Sequence, residues 1–129
     1  MKKKYYNKLI RDRIPEKIRG KGEDCEIEKL KPKEFEIELL KKVGEEASGL
    51  LSAKTFNELV SELADILAVI EEIKKIKRIS QKQISKSMKL NFKEKGGFSK
   101  RLFLLWSSDV GYKTNERAYI KKGNKSNLF

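Results

Sequence analysis

The chain has no histidine, one cysteine, two prolines and one tryptophan among its 129 residues. Without histidine there can be no imidazole general base, no Ser–His–Asp triad and no His-ligated zinc. The lone Cys25 excludes an internal disulfide, fits a reducing compartment and reads as chemically inert. No stretch approaches the roughly 20 consecutive apolar residues of a membrane span. The basic start, Met1-Lys2-Lys3-Lys4, is not followed by the apolar run of roughly 7–15 residues that a signal peptide needs. The expectation is a cytoplasmic protein with no membrane contact.

What the chain does have is charge. Charged residues make up 39% and the net charge is +12, yet apolar residues reach 38%, enough for one folded domain with a core. The charge is segregated. Residues 1–22 carry a net +7, residues 23–73 a net −8, residues 74–101 a net +10 and the remainder +3. An acidic centre between basic arms suits a metal site beside a polyphosphate, and equally a basic protein that touches nucleic acid.

The apolar spacing predicts helices. Pro15 can open a short one through about Arg19, ended by Gly20-Lys21-Gly22. Cys25 to Leu30 alternates apolar and acidic, as a short strand or extended piece does. A first long helix is expected from about Lys33 to Leu51, with Leu40, Val43, Ala47, Leu50 and Leu51 as its stripe. Thr55 and Glu58 form a candidate capping box for a second helix reaching about Arg78. Residues 63–70 of that helix are apolar on most sides, which marks it as central. Ser80 can cap a third, Gln81 to about Lys95, stopped by Gly96-Gly97. Phe98 to Trp106 is a short apolar run with strand character. Helices joined by short loops give an all-α bundle of antiparallel helices, with short extended segments at its N-terminal end. A three-helix unit with so apolar a central helix commonly buries its last face by dimerising.

Four acids stand out within this frame: Glu45, Glu46, Glu62 and Asp65. Glu46 lies at the edge of the first stripe, and Glu62 lies three residues from Leu59, four from Ile66 and seven from Val69. Asp65 follows Glu62 at i+3, on the same side. No lysine or arginine occurs between Lys54 and Lys74 to pair with them along the helix. Carboxylates on a core-facing stripe need neutralising, and a hard divalent cation neutralises several at once. Glu45, Glu58, Glu71 and Glu72 read instead as solvated. Gly49, inside the expected helix, is an oddity there, because an internal glycine costs roughly 1 kcal/mol relative to alanine.

The run Tyr6-Asn7-Lys8-Leu9-Ile10-Arg11-Asp12-Arg13-Ile14-Pro15 resembles the opening motif of MazG-like nucleotide pyrophosphohydrolases, relatives of phosphoribosyl-ATP pyrophosphohydrolase in the all-α NTP pyrophosphatase superfamily. The similarity continues in order through Glu45-Glu46-Ala47, Glu62-Leu63-Ala64-Asp65-Ile66-Leu67 and Lys95-Gly96-Gly97-Phe98, covering residues 5 to about 105. The resemblance implies a bundle domain over residues 1–105, followed by a basic extension over 106–129. It implies a homodimer or higher homo-oligomer that hydrolyses a nucleoside triphosphate to the monophosphate and pyrophosphate. By position it implies Mg²⁺, or Mn²⁺, on Glu46, Glu62 and Asp65. Glu45 and Glu46 would be the catalytic acids, with Glu45 supporting the site or activating water. A third glutamate of the family pattern falls on Gly49, and a further acid falls on Ala68.

Asn7, Lys8, Arg11, Arg13, Lys89, Lys93, Gly96 and Gly97 would then bind substrate phosphates: the cations by charge, the arginines through a planar fork, and the glycines by close backbone approach. Ordinary surface charge would account for the same cations, and a simple helix stop for the two glycines. Two other functions fit the residues. One is a relative that binds nucleotides or partners without turnover. The other is a nucleic-acid-binding protein using its basic arms, with Tyr112, Tyr119 and Phe129 interleaved among basic residues of the tail to stack on bases.

Overall fold

The computed structural model describes residues 2–108. Among them are four α-helices and no strand: α1, Ile14–Gly20; α2, Pro32–Ala47; α3, Phe56–Lys77; and α4, Gln81–Lys95. A 3-10 turn, Leu50–Ser52, links α2 to α3. The described residues form two units divided within α4, between Lys89 and Leu90. The all-α class read from the sequence holds, and no described helix is long and apolar enough to cross a membrane.

The helix starts are chemically specified. Pro15 sits in the first turn of α1 and Pro32 is the first residue of α2, where a missing N–H costs nothing. At α3 the Thr55 hydroxyl accepts the Glu58 amide (3.1 Å), and the Glu58 carboxylate accepts the amides of Thr55 (3.0 Å) and Lys54 (2.7 Å). That is the expected capping box. Ser80 and Gln83 exchange the same kind of bonds at the start of α4 (3.1 and 2.8 Å). α3 ends at Arg78, whose left-handed backbone (φ 56°) lets the Ile79 amide reach the Lys74 carbonyl at 2.8 Å.

Three expectations are corrected. α2 stops at Ala47, four residues before Leu51. There the Ser48 hydroxyl donates to the Glu45 carbonyl (2.6 Å) and the Gly49 amide to the Glu46 carbonyl (3.1 Å), satisfying the last turn. Gly49 therefore lies outside the helix, and Leu51 is fully exposed rather than part of an apolar stripe. Phe98–Trp106 forms no strand, and of the two readings of Cys25–Leu30 the strand is ruled out, since neither segment has a neighbouring strand among the described residues to take its backbone hydrogen bonds. Phe98 and Trp106 are exposed. Third, the inward face of α2 only partly matches the expected one, of which Val43 and Ala47 are half-buried. Leu40 is exposed, whereas Phe35, Leu39, Lys42 and Glu46, at intervals of four, three and four residues, are withdrawn from solvent and line one cleft.

Leu39 is the only described residue buried below a tenth of its surface. α2 and α3 pack on each other, with Ile66, Val69, Ile70 and Ile73 half-buried on α3. On a neighbouring flank of α3, Val60, Leu63 and Leu67 are between 46% and 60% exposed, and Leu59, in line with Ile66 near the helix start, is 41% exposed. Tyr112, Tyr119 and Phe129, on which base stacking was considered, lie outside the described residues, as does the basic extension beyond Ser108.

Leu39→Ala is expected to cost about 2–3 kcal/mol of stability, by lost transfer energy and residual cavity. Thr55→Ala should cost about 1 kcal/mol through the lost cap. Urea unfolding of the two variants checks the order, and an inverted order would show that Leu39 is not the centre of the core.

Candidate functional site

Glu46 leaves the last turn of α2, and Glu62 and Asp65 leave successive turns of α3. The packing of the two helices brings one carboxylate oxygen of each within 4.8 Å of the others, at half-buried positions. Three like charges at that spacing require compensation. Two protein cations supply part of it. Lys42, one turn before Glu46 and 15% exposed, puts its Nζ 3.3 Å from Glu46 Oε1 and 3.3 Å from Glu45 Oε2. Arg11 donates from Nη2 to Asp65 Oδ1 at 2.9 Å. Glu62 has no ion pair or hydrogen bond of its side chain among the described residues.

The same two cations bring the N-terminal segment onto the helices. Lys42 Nζ also donates to the Leu9 carbonyl at 3.0 Å, so Leu9 and Arg11 are tied to α2 and α3 respectively. The segment and the two helices enclose a cleft of about 630 Å³. Lys8, Arg11, Lys42, Glu46 and Asp65 supply charged groups to its wall, and Phe35, Leu39 and Val69 supply apolar ones. A cleft of this size, apolar with a few charged groups, has the build of a small-molecule site.

Gly49 takes on a definite role here. A Cβ on Gly49 would stand 2.5 Å from Glu62 Oε2 and 2.8 Å from Glu62 Cδ. The backbone at Gly49 is therefore where the Glu62 carboxylate rests. Its φ of −74° is ordinary, so what a side chain there would meet is only the movable end of Glu62, a matter of space and not of conformational freedom.

The other residues singled out in the sequence fall as follows. Glu45 stands outside the group of three and joins it through Lys42. Lys8 lines the cleft, with its Nζ 5.7 Å from the Tyr6 ring centroid. Asn7 is exposed and adopts a left-handed φ of 47°, which asparagine tolerates better than most residues. Arg13 is exposed at the start of α1, Lys89 is exposed on α4, and neither lines the cleft. Lys93, Gly96 and Gly97 belong to the second unit. Gly96, at φ 80°, caps α4 through the hydrogen bond its N–H donates to the Phe92 carbonyl (2.7 Å). A Cβ at Gly97 would meet the Phe92 ring at 3.0 Å. Both glycines thus have structural reasons to be glycine. Ala68 lines the cleft, and so does Glu72, which is half-buried rather than on a solvated face as expected.

Sequence reasoning missed Lys42. The signal was present, since a lysine three and four residues before Glu45-Glu46 reaches both on a helix. It was hidden because the apolar stripe of α2 was centred to one side of Lys42, on Leu40, Val43 and Ala47. The donor set fits a hard cation: it is all carboxylate oxygen, and small side-chain rotations would close it to the separation of up to about 4.2 Å that ligands 2.1 Å from Mg²⁺ allow. No protein-family model matches the chain, and no curated protein or solved structure matches it.

Lys42→Met should destabilise the protein by about 1–3 kcal/mol, because it removes the partner of two carboxylates and one carbonyl together. Added Mg²⁺ should restore more stability to the variant than to the wild type, since the acids left unpaired bind the ion more tightly. Thermal unfolding with and without Mg²⁺ reads both effects, and equal Mg²⁺ shifts in the two proteins would remove Lys42 from the acid cluster.

Proposed function

We propose that the protein is a metal-dependent nucleoside triphosphate pyrophosphohydrolase that releases pyrophosphate and the nucleoside monophosphate. One observation carries the reading, the charge balance around the converging acids. Glu45, Glu46, Glu62 and Asp65 face two cations, Lys42 and Arg11. These six side chains in mutual contact or close approach sum to −2, a charge that one divalent ion would neutralise. Glu46, Glu62 and Asp65 would hold Mg²⁺ or Mn²⁺, which when bound neutralises phosphate oxygens and acidifies a coordinated water. Glu45, partly exposed beside this group, is the carboxylate we assign to take the proton.

The cations of the cleft have matching tasks. Lys8 offers a mobile point charge to the phosphates, and Arg11 a fork that suits two oxygens of one phosphate. Arg11 would exchange its Asp65 partner for phosphate once a metal ion compensates Asp65. Phe35, Leu39 and Val69 give the apolar wall against which a base or sugar rests. The sequence resemblance to MazG-like enzymes supports the same activity. Binding without turnover would be read if nucleotides bound and no pyrophosphate appeared.

Glu36 near the start of α2 pairs with Lys77 at the end of α3 (2.7 Å), while Glu46 near the end of α2 lies by Glu62 and Asp65. These pairings support an antiparallel hairpin of α2 and α3. The exposed Leu59, Val60, Leu63 and Leu67 support burial of that side of α3 by a second copy.

Purified protein with a panel of NTPs and dNTPs and Mg²⁺ or Mn²⁺ should release pyrophosphate. Glu62→Gln and Asp65→Asn should each lower the rate at least about 100-fold, the usual scale for lost charge stabilisation. Absence of pyrophosphate from every nucleotide at high enzyme concentration would sink the assignment. Separately, light scattering should give a dimer that Leu63→Glu with Leu67→Glu converts to monomer, and a monomeric wild type would remove the second copy.

A further inference from the structure

The pyrophosphohydrolase reading leaves the most basic part of the chain unused. Residues 74–89 carry seven lysines or arginines and no acid. Two of these are consumed structurally. Lys74 pairs with Glu71 at 2.9 Å and bonds Gln81, and Lys77 pairs with Glu36 at 2.7 Å. The other five, Lys75, Arg78, Lys82, Lys86 and Lys89, are exposed and have no carboxylate partner among the described residues. Three of them lie on one helix face. Lys82, Lys86 and Lys89 follow at i, i+4 and i+7 along α4, within an arc of about 60° at ~100° per residue.

We propose that this face of α4 binds the phosphate backbone of duplex nucleic acid, independently of base sequence. The spacing is the first argument. Lys82 to Lys89 spans about 10.5 Å of helix, a length over which one strand of a duplex presents about three phosphates. A single triphosphate is shorter than that row and belongs to the cleft, which Lys82, Lys86 and Lys89 do not line. The residue type is the second argument. Lysine meets phosphate as a point charge without bidentate geometry, and the row has no arginine to read a guanine edge.

The placement of the apolar residues separates nucleic acid from a membrane surface. A helix lying on a bilayer has its lysines flanking an apolar face that dips into the lipid. In α4, Ile84 and Met88 project from the side opposite the lysine row, and Ile84 is already half-buried in the protein. A bilayer meeting the lysines would meet only Leu90 and Phe92, one at each edge of the row, and no continuous apolar face, whereas a polyanion needs only the lysines.

The test is fluorescence anisotropy of the full-length protein with a labelled 20-base-pair DNA of arbitrary sequence, over a salt series. Wild type should bind at low salt, with log K falling linearly against log salt. The triple variant K82Q/K86Q/K89Q should lower the magnitude of that slope by about 2.7 and weaken binding roughly tenfold or more at 0.1 M salt. Glutamine keeps helix propensity, and circular dichroism checks the fold. The control K2Q/K3Q/K4Q removes the same charge elsewhere and should change the slope by less than one third as much. No binding at low salt, or equal losses in the two variants, would overturn the proposal. So would stripe-dependent binding to phosphatidylserine vesicles or polyglutamate in the absence of duplex binding. Pyrophosphate release by K82Q/K86Q/K89Q at the wild-type rate, alongside lost duplex binding, would show that the two activities use different surfaces.

Discussion

The structure depends on one electrostatic constraint: carboxylates from two helices meet at a half-buried place and must be compensated. Unscreened, charges about 4 Å apart repel by about 4 kcal/mol even at an effective dielectric constant of 20. Few domains of this size could sustain several such terms when total stability is about 5–15 kcal/mol. Lys42 and Arg11 are therefore structural necessities before they are anything else. Their other contacts follow from that. By reaching Glu46 and Asp65 they also fix Leu9 and Arg11, so the acid cluster organises an N-terminal segment that has no regular secondary structure before α1. The cleft is a consequence, since its third wall is that segment.

The second constraint is the thinness of the core. Leu39, 6% exposed, is the sole buried residue among the described residues, while Leu59, Val60, Leu63 and Leu67 of α3 stay exposed. Burial contributes about 25 cal/mol per Å² of apolar surface removed from water. A helix as apolar as α3 with one side exposed leaves much of that contribution unrealised. An exposed apolar row of this length on an otherwise highly charged chain is the kind of surface that marks an interface. The acid cluster faces α2, and Val60, Leu63 and Leu67 lie on a flank of α3 that is left exposed, so covering them would stiffen α3.

The parts of this fold that were legible in the sequence are those set by local chemistry. Thr55 with Glu58, Ser80 ahead of Gln83, Pro15 and Gly96 each act through atoms a few residues away, and their helices begin and end where those residues stand. The convergence of Glu46, Glu62 and Asp65 was also readable, because i, i+3 spacing and the apolar phase of α3 both point the acids at α2. The rotation of α2 was not readable. Its sequence offers two overlapping stripes, one through Leu40, Val43 and Ala47 and one through Phe35, Leu39 and Lys42. The choice between them is made by tertiary contact with α3 and the N-terminal segment, where Lys42 gains three partners. A lysine counted as polar thus occupied a position that hydrophobic periodicity assigns to no one. The end of α2 was missed for a related reason: Ser48 and Gly49 close the helix through bonds to its own carbonyls, against a pattern of leucines that continues past them.

Gly49 links these strands of reasoning. As a helix-interior residue it would be a defect, and as a lost ligand it would be a deficit. Its actual surroundings make it neither. The Glu62 carboxylate lies where a side chain at position 49 would begin, so any larger residue there must move Glu62. A glutamate at 49 would also add a fifth carboxylate beside Lys42 and Arg11, taking the balance of that group from −2 to −3. One divalent ion compensates the first arrangement and not the second. Gly49, the position of Glu62 and the presence of two protein cations are thus mutually consistent parts of one charge arrangement. In it, Lys42 and Arg11 do part of the compensation that a richer carboxylate set would leave to metal alone.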